Sequence, residues 1–214
     1  MIATGFLKDG QEVPTPGQVA SLTSPNNFIN FCATVPDKPI MNGQQIKTGA
    51  CNPAPMGVIA GTSNMPTSKF VEPRNFATIK ANTAFTVQMA VSHLDVGHFT
   101  NAASTYFAAP QQVNAAGDIV GHTHFVIELL PGGLAQTTPG DANVFAFFKG
   151  INTAAVNGVV STDVTAGLPV GDYKLASINS AANHQPVLVT VAQHTSLDDM
   201  IYVRPPSTHA RCAP

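Results

Sequence analysis

The chain has 214 residues, 44% hydrophobic and only 10% charged, with ten Lys and Arg against twelve Asp and Glu for a formal charge of -2 at pH 7. Soluble domains average about 25% charged residues, so the polarity here comes from Asn, Gln, Ser and Thr, a composition common on surfaces outside cells. The cationic residues are scattered singly, which excludes a phosphate-neutralising stripe and nucleic acid with it, and no apolar run approaches the roughly 18 residues of a membrane span.

Residues 1–70 read as extended chain broken by turns, since VPTPGQ, TSPNN, VPDKP, MNGQQ, CNPAPMG and SNMPTS all carry Pro, Gly or Asn punctuation. This predicts a loop-rich flank, packed on the same single domain as the remainder, 71–214. The opening residues show no charged segment followed by an apolar one, so no signal peptide is read and the sequence corresponds to a mature, recombinant or cytosolic form. Cys32 and Cys51 bracket a Pro, Gly and Asn-rich stretch with neither C-x-x-C nor zinc-finger spacing. A disulfide between them is predicted, contributing about 3 kcal/mol by loop closure. A bridge to Cys212 and reduced thiols are the alternatives.

Strands are expected where hydrophobicity alternates between turn signals: FTVQMAV, STYFAA, HTHFVIELL, DYKLASI, PVLVTVAQ and MIYVRP. In the first, Phe85, Val87, Met89 and Val91 share one face. Together they predict a mainly β fold, an antiparallel β-sandwich of immunoglobulin-like or jelly-roll-like type. The segment 141–158 breaks this pattern. Asp141 is a possible N-cap, and Val144, Phe145, Phe148, Ile151 and Ala155 recur at steps of three and four, so a short helical insertion against the sheet is expected, its aromatics in the core.

The chemistry concentrates in GHTHFVIELL, 121–130. In a strand, alternate side chains share a face, which places His122, His124, Val126 and Glu128 on one side and Thr123, Phe125 and Ile127 on the apolar side. Two imidazoles at i and i+2 can converge on one ion, with His184 and His194 as the further metal-ligand candidates. Glu128 lies about 13 Å along the strand from His124, so it is a candidate proton acceptor or orienting partner rather than a ligand. Zinc or copper suits imidazole best. The competing reading is a set of hydrogen-bonded structural histidines.

His93 and His98 form a second local pair that straddles a turn, His209 lies near the terminus, and Asp198 and Asp199 read as turn formers or a cation site. The motif also resembles a fragment of the first cupin motif, but the flanking glycines do not keep cupin spacing and no second motif follows. Hydrolase, phosphate-binding and zincin signatures are absent from the sequence, and Glu12, Glu72 and Glu128 are too scattered to suggest a glycosidase pair.

The blocks SPNNFINFCA, NGQQIKTGACNPAPMGVI, YFAAPQQ, GHTHFVIE, FAFFKG, SINSAANHQPVLV and VAQHTSLDDMIY cover most of residues 24 to 203. On these the chain resembles a family of small secreted fungal proteins, known from basidiomycetes, with no assigned activity. The resemblance implies an extracellular protein whose precursor carries a signal sequence, and it transfers no catalytic role. Two functional expectations follow: a secreted protein binding a divalent metal through the H-x-H strand, with a small molecule as partner, or a non-catalytic protein associated with cell-wall glycan. The absence of Trp and the 7% aromatic content weaken a sugar-stacking platform.

Overall fold

The computed structural model describes residues 4–23 and 29–205, and only the backbone of 29 and 30. His209 and Cys212 therefore lie outside the described residues. Nine strands are described: β1 (Thr67–Glu72), β2 (Ala77–Thr78), β3 (Phe85–Ser92), β4 (Leu94–Val96), β5 (Ile119–Leu129), β6 (Phe147–Ile151), β7 (Val159–Val164), β8 (Tyr173–Ala181) and β9 (Met200–Arg204). They form a three-stranded sheet, β1-β3-β7, and a six-stranded sheet, β2-β9-β8-β5-β4, in which β6 also pairs with β5. All pairings are antiparallel except β2 with β9 and β4 with β5.

The two sheets close on one core, as the period-two patterns require. Phe70, Val87, Met89, Val160 and Val164 from the small sheet pack with Phe125, Ile127, Leu175, Ile201 and Val203 from the large one. Phe70 meets Phe125 edge to face across the sandwich, with ring centroids 5.2 Å apart. Each such side chain contributes about 1.5–3 kcal/mol on full burial. The mainly β, sandwich-like class expected from the alternation is what the chain adopts.

Three sequence expectations are corrected. The segment 141–158 is not helical: Asp141 accepts hydrogen bonds from the backbone and side-chain nitrogens of Asn143, closing a turn, and residues Phe147–Ile151 run as β6 along β5. Its three- and four-residue apolar spacing is overridden because the open edge of β5 offers five consecutive paired residues, whereas Gly150 and Gly158 weaken a helix. STYFAA is a turn rather than a strand. Thr105 folds back to bond Asn101 O and Thr100 Oγ1, and Phe107, at φ 55°, stacks on Tyr106 at 4.1 Å. PVLVTVAQ makes only isolated bridges, with Leu188 N donating to the side chain of Gln111 at 2.8 Å. Among the described residues, the helices are three short 3-10 turns and the four-residue Ile29–Cys32.

The N-terminal stretch up to β1 has no strand among its described residues. It is closed on itself by the Cys32–Cys51 disulfide, and it lies over the outer face of the large sheet together with residues 97–113. Several bonds tie it there: Val19 N donates to Phe99 O at 2.9 Å, Tyr106 N to Gly43 O at 2.8 Å, Gln111 Nε2 to Val58 O at 2.7 Å and Asn183 Nδ2 to Ser21 Oγ at 2.9 Å. The strand face opposite the core is thus roofed at one end, which matters for the residues beneath.

Candidate metal centre

That roofed face carries the histidines. On β5, Phe125 and Ile127 point to the core, so His122 and His124 point away from it, and the β8 register sets Ser180 opposite His122 and Ile178 opposite His124. Gly121 lets β8 approach, because a Cβ there would run into Ser180 O. The chain then reverses at once. Ala181 O accepts from His184 N at 2.9 Å, and His184 sits at φ 72°, a conformation that an L side chain adopts only at some cost. Because Ala181 is paired with Gly121, this turn returns His184 onto the beginning of β5.

One ring nitrogen from each of His122, His124 and His184 lies within 4.8 Å of the others. The three residues are 0%, 9% and 8% exposed, and Phe99 and Phe148 shield them. Phe99 stands edge-on to His122 and His184 at 5.0 and 4.9 Å, and Phe148 lies 5.2 Å from His124.

Hydrogen bonding determines which nitrogens are free. His122 Nδ1 faces His98 O at 3.1 Å, His124 Nδ1 faces Ile178 O at 3.3 Å and His184 Nε2 faces Thr100 O at 2.8 Å. A carbonyl oxygen only accepts, so the tautomers that satisfy all three carbonyls put each ring's proton on these nitrogens. The bare nitrogens are therefore His122 Nε2, His124 Nε2 and His184 Nδ1. Two of them, His122 Nε2 and His184 Nδ1, face each other at 3.1 Å.

Lone pairs opposed at that distance repel unless a proton or a cation joins them. A proton is disfavoured: burial first, and then the neighbouring imidazoles, push the pKa of His122 down to about 2 and that of His124 to about 4, and burial lowers His184 as well. A cation bound at about 2.1 Å to both nitrogens would hold them about 3.0–3.4 Å apart, for ligand angles between a right angle and a tetrahedral one; since the three nitrogens spread over as much as 4.8 Å, the third would close on the same ion by a small rotation of its ring. Neutral, oriented imidazoles with carbonyl partners are the donor set that zinc and copper take.

A cavity of about 420 Å³ opens on this cluster. His124 and His184 form part of its floor, Phe99, Tyr106 and Phe148 its walls, and Gln45, Asn152 and Ser180 its polar positions. Gly150, opposite His124 in the β5–β6 register, keeps the floor open: a Cβ there would lie 3.3 Å from Asn152 Oδ1 and 3.5 Å from His124 Cδ2. No Asp or Glu is among the lining residues.

The remaining sequence candidates lie elsewhere. His194 is exposed and bonds its neighbour's carbonyl, Thr195 O, at 2.6 Å, so it does not join the cluster. Glu128, at the far end of β5, pairs with Lys174 Nζ at 2.8 Å and takes no part in the cavity. His93 pairs with Asp118 at 2.8 Å and His98 with Asp95 at 3.5 Å. Asp198 and Asp199 tie the 195–199 turn to the sheets, Asp198 accepting from Ser177 Oγ and Asn179 N and Asp199 from Phe70 N and Lys69. Sequence reading missed Gln45, Phe99, Tyr106 and Asn152 altogether and assigned Phe148 to a helix core. The one available signal was Gly150, a residue with no side chain in an aromatic strand.

Residues 68–205 match the CLU5d N-terminal domain. Over 195 residues the chain is also 41% identical to "Pathogenicity cluster 5 protein d" of Colletotrichum graminicola, an alignment covering 90% of this chain and 40% of that protein. The chain thus spans less than half the length of the curated relative it matches. All three clustered histidines fall within the matched segment. With most of its length in the match, the chain belongs to the CLU5d N-terminal domain family, a fungal family.

Proposed function

We propose that this chain is an exported metal-binding module in which His122 Nε2, His124 Nε2 and His184 Nδ1 hold one divalent ion, zinc or copper, with a coordination position left open to the cavity. The observation that carries this reading is the pair of bare nitrogens facing each other at 3.1 Å in a site too dry to supply a proton. Structural histidines alone have three protons for four ring-nitrogen contacts, so either that contact or one to a carbonyl, such as His122 Nδ1 with His98 O, would be left repulsive. Export is supported by the Cys32–Cys51 disulfide and by the low charge content. Among the described residues, no helix is long and apolar enough to cross a membrane. In this reading the flank 1–70 and the strand region from 71 onward act as one unit, the flank roofing the metal.

The cavity favours binding over hydrolysis. A water on a metal held by three imidazoles can lose its proton to solvent, but the lining offers no carboxylate to pass a proton on to a leaving group. The open position is therefore a docking point for a small oxygen donor. Metal analysis of protein made without a histidine tag tests the reading. Stoichiometric zinc or copper, lost in the His122→Ala/His124→Ala double variant and kept in His194→Ala, supports it. Metal-free protein that takes up neither ion on dialysis rejects it.

A further inference from the structure

The metal reading leaves open what the cavity takes, and the lining narrows the answer. Three neutral imidazoles leave a divalent ion with its full charge, and no carboxylate in the lining offsets it. An open position on such an ion, in surroundings poor in water, favours an anionic donor. The walls select the rest of the molecule. Phe99, Tyr106 and Phe148 offer ring faces and edges, and the volume of about 420 Å³ lies within the range of small-ligand sites, about 300–1,000 Å³. With its charged end on the metal, the body of the ligand lies along the aromatic walls.

Resting on the metal reading, we infer that the cavity binds a small aromatic oxyanion of the benzoate or phenolate type, its charged oxygen on the open coordination position and its ring against Phe148 and Tyr106. Phe148 is 46% exposed, so truncating it removes a wall of the cavity without opening the core. Gly150 keeps the floor beside His124 flat, since a Cβ there would crowd Asn152 Oδ1 at 3.3 Å.

Calorimetric titration of the zinc-loaded chain with benzoate, phenol, acetate and benzyl alcohol tests the inference. Benzoate is expected to bind about tenfold more tightly than acetate, which has the donor without the ring, and than benzyl alcohol, which has the ring without the charge. Phenol, neutral in solution, should release one proton to the buffer as it binds as phenolate, and phenol that binds without releasing a proton counts against an oxyanion site. Phe148→Ala should lose about that factor for benzoate, leave acetate unchanged and retain its zinc. Equal binding of benzoate and acetate, or benzoate binding that survives removal of the metal, overturns the inference. Metal content, measured first, separates the two levels: a chain that takes neither zinc nor copper overturns the metal centre and this inference together, whereas a metal-loaded chain blind to the ring overturns this inference alone.

Discussion

The two ends of β5 carry polar side chains on the same face of the same strand and do opposite things with them. At the start, His122 and His124 sit under the loops at 97–113 and the N-terminal flank, nearly dry and held neutral. At the finish, Glu128 stands about a quarter exposed and meets Lys174 as an ordinary ion pair. Strand periodicity places both ends alike. The difference comes from what lies over the sheet: covering loops remove water, strip the imidazoles of their charge and supply the carbonyls of His98 and Thr100 that aim them. The other end stays wet enough for Glu128 and Lys174 to remain a charged pair near the surface, where such a pair is worth little.

The largest expected contrast is in metal retention. His184→Ala removes one of the three nitrogens, and bound zinc, read by elemental analysis after exhaustive dialysis, should fall from stoichiometric to background. Glu128→Ala should retain it fully.

Acid provides the next test. In chelator-treated protein the unfolded chain takes up protons near pH 6.5 that the folded imidazoles refuse, His124 down to about pH 4 and His122 to about 2. Stability contributed by keeping these groups neutral is present above pH 6.5 and drains as pH falls through that window, by about 1.4 kcal/mol per pH unit for each imidazole held neutral. Urea unfolding at a series of pH values measures the slope. A flat profile between pH 6.5 and 4 would mean that the cluster is wetter than the structure has it.

Gly121→Ala should cost about 1–3 kcal/mol, because its methyl group must push β8 away from β5 beside the histidines. Thermal unfolding checks this, and weaker zinc binding should accompany the loss. The smallest effect is expected at the open end, where Glu128→Gln should change stability by less than about 1 kcal/mol.

Much of the covered end is legible in HTHFVIEL. Alternation alone puts both histidines on one side and Phe125 and Ile127 in the core, and the spacing of Cys32 and Cys51 favours the pairing found, with Cys212 left as an alternative by the sequence. The choice between His184 and His194 was not legible, because it rests on Ala181 pairing with Gly121 and on a turn at positive φ immediately afterwards. Alternation sees neither pairing partners nor turns. Phe147–Ile151 misled for a related reason. Its apolar spacing suits a helix equally well, and only the vacant edge of β5, a feature of another segment, decides for a strand. The roof was least legible of all: turn-rich sequence announces loops but not the sheet face on which they settle.

The central claim is that three imidazoles, each oriented by a backbone carbonyl, converge bare nitrogens on one ion. Anomalous diffraction at the zinc absorption edge, from crystals of tag-free protein supplied with zinc, tests it most directly. The account predicts one strong anomalous peak about 2.1 Å from His122 Nε2, His124 Nε2 and His184 Nδ1. A zinc-soaked crystal with no peak there, or with its peak at His93, His194 or the Glu128 end of β5, would contradict it.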